Sequence, residues 1–181
     1  AFSECSLVMV GPCYNILELP QRKNIYWLGH KPYTQLAAYL THFDVGIIPF
    51  RNSSMTQAVN PIKMWEYLAA GIPVVSTELP ETKGYGQLVL TADNRSKFVS
   101  HIELALSENN PTKKAHRRLL AKQNSWEIRA QLILDIIEQH LQNSGIERGP
   151  EPILPKLLFK NAPTMCLHPP VRIEQKRGTP C

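Results

Sequence analysis

The sequence predicts an α/β fold of the Rossmann-like kind, a parallel sheet with helices on both faces, followed by an irregular tail. Two observations predict it. Short apolar runs alternate with helix-like segments as far as residue 141, and prolines crowd the chain after residue 149. Continuously apolar strands that alternate with helices are typical of a parallel sheet covered on both faces. Ligands of such folds bind beyond the carboxyl ends of the strands, so we look for function there.

The individual elements follow from local patterns. Apolar runs bounded by Gly or Pro predict strands at Leu7–Val10, Ile25–Leu28, Val45–Ile48, Val74–Ser76 and Gln87–Leu90. Helical spacing of apolar residues predicts helices at Pro32–His42, Pro61–Ala70, Arg95–Leu106, Thr112–Gln123 and Trp126–Leu141. We therefore expect one Rossmann-like domain over residues 1–145.

The composition changes after that domain. Residues 146–181 hold seven prolines and carry six Lys or Arg against three Asp or Glu. Proline at this density prevents long helices and central strands, so we expect this segment to be a disordered tail. The rest of the chain keeps 14 positive against 12 negative charges, which gives no general argument for nucleic-acid binding.

The start of the sequence and the cysteines further limit the class of protein. The sequence opens with Ala1 in place of an initiator Met and almost at once enters an apolar run, so we expect an N-terminally truncated domain. No apolar run is long enough for a membrane-spanning helix, and no signal peptide is recognisable. The cysteines lack metal-site or disulfide-scaffold spacing, which favours free thiols in a reducing cytoplasm. They are Cys5, Cys13, Cys166 and Cys181.

The segment from Asn60 to Val75 carries the strongest functional pattern. Asn60 is a suitable N-cap, Pro61 suits a first helical position, and Gly71 followed by Pro73 should end the helix. The free N–H groups and the dipole of such a helix start favour an anion.

Lys63 and Glu66 follow on the first turns of the predicted helix and, three residues apart, share a face. The cation suits a diphosphate, and the carboxylate suits a vicinal diol, since it accepts two O–H hydrogen bonds. A nucleotide sugar offers both groups. The alternative interpretation, an ordinary solvated Lys–Glu pair, stays open on the spacing alone.

This segment, Glu66-Tyr67-Leu68-Ala69-Ala70-Gly71-Ile72-Pro73-Val74-Val75, resembles the signature helix of GT-B glycosyltransferases, especially the retaining family-4 group. The resemblance extends to Asn24–Gly29, to Tyr33–Phe50 and to Ser125-Trp126, and so covers about Leu7 to Leu141. It implies the C-terminal, donor-binding half of a GT-B fold, which works without a bound metal and whose partner N-terminal domain holds the acceptor.

The resemblance also implies roles for residues. Glu66 matches the second Glu of the Glu-x7-Glu motif, which binds the donor ribose, whereas the first Glu falls at Ala58 and is missing. That absence leaves the retaining or inverting outcome undecided. We infer from the residues themselves, and not from the resemblance, that Lys63 and the turn at Asn60 supply charge stabilisation instead. The loop at His30 and Lys31 corresponds to the loop that contacts the base.

Lys63 and Glu66 are the predicted catalytic residues. The predicted substrate-binding residues are His30, Lys31, Phe50, Arg51, Asn60, Pro61, Lys63, Glu66 and Tyr67. Ordinary surface loops explain His30, Lys31 and Arg51 about equally well. No metal and no other cofactor is predicted, since the histidines lack ligand spacing and no Asp-x-Asp occurs.

A basic cluster on the predicted helix Thr112–Gln123 invites a nucleic-acid or membrane interpretation, but no aromatic residues alternate with it. We favour a solvated helix face. Its members are Lys113, Lys114, His116, Arg117, Arg118 and Lys122.

The sequence thus predicts a glycosyltransferase donor domain, inactive alone, that moves a sugar from a nucleotide-sugar to a glycan, lipid or small-molecule acceptor. We expect it in the cytoplasm, with a peripheral contact at the inner face of the membrane left open, and with no nucleic-acid partner. Two alternatives remain: a GT-B epimerase or phosphorylase, and a noncatalytic nucleotide-binding remnant.

Overall fold

The computed structural model describes residues 2, 4–14 and 18–143, and the chain divides into two compact units, Ala1–Phe43 and Asp44–Cys181. The predictions for the tail, including Cys166 and Cys181, fall outside the described residues.

The first unit holds two parallel strands and a helix. Strands β1 (Leu7–Met9) and β2 (Ile25–Trp27) pair with Leu7 opposite Ile25, and helix α1 spans Tyr33–Leu40. The Asn24 side-chain amide donates to the carbonyl oxygens of Phe2 and Cys5, at 3.1 and 3.0 Å. That amide ties the chain before β1 to the start of β2.

The second unit is built on a three-stranded parallel sheet in the order β3-β4-β5. Its strands are β3 (Gly46–Ile48), β4 (Val74–Thr77) and β5 (Val89–Ala92), and its helices are α2 (Ser54–Gln57), α3 (Ile62–Ala70), α4 (Arg95–Leu106), α5 (Pro111–Gln123) and α6 (Trp126–Asn143). Parallel strands flanked by helices confirm the predicted Rossmann-like class.

The core lies where α3 packs on the sheet. Met64 and Leu68, four residues apart on one face of α3, are completely buried with Ile48, Val74 and Val89. Burial of such side chains is the main stabilising contribution, about 1.5–3 kcal/mol each.

Local residue chemistry fixes the helix ends. Gly71 adopts a left-handed φ of 82°, and the N–H groups of Gly71 and Ile72 donate to the carbonyls of Leu68 and Tyr67, at 2.9 and 3.2 Å. This Schellman ending of α3 is the one predicted at Gly71. Asn94 and Asn110 cap α4 and α5 with their side chains.

Most predicted bounds agree with the structure to within two residues, and helical turns that were not predicted form before β5 and before α3. The fifth strand begins at Val89 rather than Gln87, because Gly86–Leu88 forms a turn of 3₁₀ helix. The segment before α3, expected to be a loop, contains the short helix α2, where Ser53 and Thr56 cap each other's backbone N–H groups. A threonine replaces the usual Glu or Gln of that capping box, so the pattern was missed.

Candidate functional site

The candidate site lies at the N-terminus of α3. Because β3 and β4 are parallel, the connecting helix must start at the carboxyl end of β3 and return toward the start of β4. The start of α3 therefore stands at the sheet edge where ligands of this fold class bind.

The helix starts differently from the prediction. Pro61 is the N-cap itself, with extended φ and ψ of −73° and 103°, and Ile62 is the first helical residue. Asn60 does not cap α3, because its side-chain oxygen accepts a hydrogen bond from the indole Nε1 of Trp65, at 3.0 Å. No side chain caps the N-terminus of α3. Its first N–H groups consequently point into the loop without a side-chain acceptor.

Lys63 and Glu66 form an ion pair on this helix. Lys63 Nζ lies 2.8 Å from Glu66 Oε2, with 55% of the lysine side chain exposed and only 14% of the glutamate side chain. The two side chains share a face, as their spacing predicts. The ammonium of Lys63 is exposed enough to contact a second anion besides Glu66.

Tyr67 packs against the first residue of β3. Burial and the charge of Glu66 raise the pKa of the Tyr67 phenol above its usual value of 10.0. Its ring packs so close to Gly46 that a Cβ added there would meet ring carbons at 2.4 Å. Tyr67 thus supports α3 against β3 as a neutral phenol at physiological pH.

The loop that leads to α3 contains the other residues predicted at the site. Phe50 is partly buried and packs against the core, whereas Arg51 is exposed and its carbonyl oxygen accepts from the Thr56 hydroxyl at 2.6 Å. Ala58 is the C-cap of α2 and is exposed. The donor contacts expected of Phe50 and Arg51 stay predictions.

His30 and Lys31 belong to the first unit. They follow β2 and Gly29, whose left-handed φ of 65° turns the chain at the strand end. His30 is exposed and Lys31 half-buried. Their expected contact with a nucleotide base stays a prediction.

Trp65 was missed by the sequence analysis. Besides its bond to Asn60, its ring packs edge-to-face on Tyr85 with centroids 5.8 Å apart, and the Arg129 guanidinium lies 5.2 Å from its ring centroid. A half-buried tryptophan generally needs a hydrogen-bond acceptor for its N–H. Its presence five residues after an asparagine was the available clue.

At the C-terminal end of α3, the prediction that the basic cluster forms a solvated helix face is wrong for one residue. Arg117 of α5 is 1% exposed and does not belong to a solvated face. It donates to the carbonyl of Gly71 at 3.4 Å and to that of Leu88 at 3.5 Å, and it forms an ion pair with Glu108. Arg118, its neighbour, stays exposed and donates to Ala70. Arg117 is buried because the carbonyls of Gly71 and Leu88 and the carboxylate of Glu108 accept its hydrogen bonds.

Other candidate sites are weaker. An open groove of about 480 Å³ lies between β5 and α4 and is lined by residues that include Thr82, Gly84, Lys97 and His101, but it contains neither Lys63 nor Glu66. Among residues 2, 4–14 and 18–143, no three His, Cys, Asp or Glu side chains are grouped to hold a metal ion. In the same residues no helix is both long and apolar enough to span a bilayer.

Crossover helices between parallel strands define a Rossmann-like domain. The model of the family "Glycosyl transferases group 1" matches residues 1–108, more than half of the chain. The chain belongs to the group 1 glycosyl transferases.

A full-length relative gives the same class. The chain is 32% identical over 136 residues to a Bacillus subtilis (strain 168) protein assigned as the teichuronic acid biosynthesis glycosyltransferase TuaH. The match covers 72% of this chain and 32% of that relative, so the matched part of the chain spans about a third of the relative's length. No solved structure matches significantly.

Proposed function

We propose that this chain binds a nucleotide-sugar donor at the N-terminus of α3, and that the protein transfers the donor's sugar to an acceptor. The ion pair of Lys63 and Glu66 at an uncapped helix start is the observation that carries the proposal. Membership of the group 1 glycosyl transferases supports the reaction class.

The diphosphate binds at the start of α3. The N–H groups of Ile62 and Lys63 precede the first intrahelical hydrogen bonds, and no side chain caps them. The helix dipole adds partial positive charge there, and the exposed Lys63 ammonium adds a full charge. These donors stabilise negative charge on the leaving diphosphate, so they contribute to catalysis without a metal ion.

The ribose binds at Glu66. Lys63 engages Oε2, and that contact leaves Oε1 and the remaining lone pair of Oε2 to accept O–H groups of a diol. The low exposure of Glu66 strengthens such charge-assisted bonds.

The acceptor is a glycan, a lipid or a small molecule. We propose that a further domain, of the kind a relative more than twice as long can supply, forms the opposite wall of the cleft and holds that acceptor. Transfer in the cytoplasm, where nucleotide sugars are made, is part of the proposal.

A noncatalytic nucleotide-binding module is the second candidate. Exposed Ala58 at the C-cap of α2 favours it, since no carboxylate stands where the family pattern has its first Glu. Release of free nucleoside diphosphate from a donor in the presence of an acceptor separates the two functions.

The first prediction tests the roles of Lys63 and Glu66. We expect Glu66→Ala to weaken binding of a nucleoside and of its diphosphate alike, by about 1–3 kcal/mol, because ribose hydrogen bonds are lost. We expect Lys63→Ala to weaken binding of the diphosphate and to leave the nucleoside unaffected. Calorimetry with uridine, cytidine, guanosine and adenosine, each with its diphosphate, measures both.

The matched control is Lys114→Ala, an exposed lysine on α5 near Gly71 at the other end of α3. It should bind every ligand as the unchanged chain does. Equal losses for nucleoside and diphosphate in Lys63→Ala would exclude its phosphate role.

A further inference from the structure

The side chain of Trp65 connects α3 to the loop that precedes the helix. Its indole Nε1 donates to Asn60 Oδ1 at 3.0 Å, which links the second turn of the helix to the loop residue that precedes Pro61. The bond is partly buried, so water competes weakly for either atom.

The indole contacts two further side chains. Tyr85 packs edge-to-face against it with an interplanar angle of 84°, and the Arg129 guanidinium of α6 lies 5.2 Å from its centroid. Contacts of these kinds contribute about 0.5–1.5 kcal/mol each. The position of Nε1 is therefore set by three segments of the second unit.

This hydrogen bond fixes the orientation of the Asn60 amide. An indole N–H is a donor only, so the side chain of Asn60 must turn its oxygen toward Trp65. Its NH₂ group then points away from the indole, and no described residue accepts a hydrogen bond from it. The same bond withdraws the Asn60 oxygen from capping, which leaves the first N–H groups of α3 without a side-chain acceptor.

We propose that Trp65 is a positioning residue that holds the Asn60 side chain with its NH₂ group as a donor to the diphosphate of the nucleotide sugar. The inference rests on the proposed function, because it assigns a further contact in the same site. Asn60, the N–H groups of Ile62 and Lys63, and the Lys63 ammonium then form one set of donors for a single anionic group.

Trp65→Phe tests the inference, because it removes the N–H and keeps a ring for Tyr85 and Arg129. We expect it to weaken binding of the diphosphates about three- to tenfold, the value of one hydrogen bond, and to leave nucleoside binding unchanged. In an Asn60→Ala background the same change should have no effect on diphosphate binding. Calorimetry with the four nucleosides and diphosphates named above gives all the values.

Asn60→Asp is a second test that leaves Trp65 intact. Its carboxylate still accepts from the indole but offers phosphate only negative charge, so diphosphate affinity should fall at least as far as in Trp65→Phe. If the role of Trp65 is purely structural, Trp65→Phe should lower diphosphate and nucleoside affinity together. Alternatively, it should lower diphosphate affinity in the Asn60→Ala background as much as it does in the unchanged chain. Either result overturns the inference.

The unchanged chain separates the two proposals. If it binds diphosphates and Trp65→Phe binds them equally well, the positioning role is wrong and the proposed function stands. If the unchanged chain binds no nucleoside diphosphate, the proposed function is wrong, and the positioning role that depends on it is wrong as well.

Discussion

Gly46, at the scale of single residues, shows how closely α3 approaches the sheet. It is buried at the start of β3, and three ring carbons of Tyr67 occupy the space that a Cβ would fill, at 2.4 to 2.9 Å. The backbone of Gly46 lies outside the left-handed region, so the constraint is one of volume and not of conformation. Tyr67 is next to Glu66 in α3. The packing of the Tyr67 ring on Gly46 therefore sets how closely this part of α3 approaches β3.

Replacing this glycine should destabilise the domain. We expect Gly46→Ala to lower the free energy of unfolding by about 1–3 kcal/mol, because an overpacked interior must shift a ring or a strand. Urea unfolding followed by circular dichroism measures it. In a Tyr67→Ala background, where the clashing ring is absent, the same substitution should have little effect. An equal effect in both backgrounds would exclude the ring contact as the cause.

The contact between α3 and α5 matters most at the scale of elements. Two carbonyls at the end of α3 accept hydrogen bonds from α5, that of Gly71 from Arg117 and that of Ala70 from Arg118. Glu108 forms an ion pair with Arg117. Lys113 adds a second cation 3.3 Å from Glu108. A buried arginine is tolerated here because its donors and its charge have partners within reach.

Removing the buried arginine should be far more harmful than removing its exposed neighbour. We expect Arg117→Met to lower the free energy of unfolding by about 3–5 kcal/mol, since Glu108 and buried carbonyls lose their donor. Arg118→Met, which loses one long hydrogen bond to Ala70, should change it by about 1 kcal/mol or less. Urea unfolding of both variants in parallel compares them directly. Similar losses would show that Arg117 is not an essential partner of the α3 end.

The same elements show how far sequence reasoning reached. Gly71 and Pro73 ended α3 as predicted, because both act through their own backbone geometry. The shared face of Lys63 and Glu66 also followed from helical spacing alone. The predictions for Asn60 as an N-cap and for Arg117 as a solvated residue were wrong, because each side chain bonds to a partner that the helix rules do not consider. Asn60 bonds to an indole five residues away, and Arg117 bonds to the carbonyl of Gly71 at the end of α3.

Burial is uneven at the scale of the whole molecule. Every fully buried residue in the described part of the chain lies between Gly46 and Arg117, and none lies in the first unit. Helix α6 has no buried residue, and seven large apolar side chains on it are 39% or more exposed. They are Trp126, Ile128, Leu132, Ile133, Leu134, Ile136 and Ile137. Stability should therefore concentrate in the sheet and in α3, where the candidate site begins.

Amide hydrogen exchange should follow this distribution. Peptides from β3, β4, β5 and α3 should exchange most slowly, because their amides open only when the buried core opens. Peptides from α6, β1 and β2 should exchange earlier, since local opening there exposes little additional apolar surface. Deuterium uptake measured by mass spectrometry at constant pH gives the order directly. Slower exchange in α6 than in β4 would contradict the expectation.

Ligand dependence of the same exchange links stability to the proposed site. A nucleoside diphosphate in excess should slow exchange in the peptides that contain Asn60 and Lys63, because binding stabilises only states in which the α3 start is formed. The corresponding nucleoside should protect less, since it makes no contact with the diphosphate donors. Peptides from α6 that do not contain Arg129 provide the internal control, since Arg129 is the residue that places this helix over the ring of Trp65. Uniform protection across α6 and the α3 start would place the ligand elsewhere, whereas protection confined to the α3 start is the result that the geometry of Lys63, Glu66 and Asn60 requires.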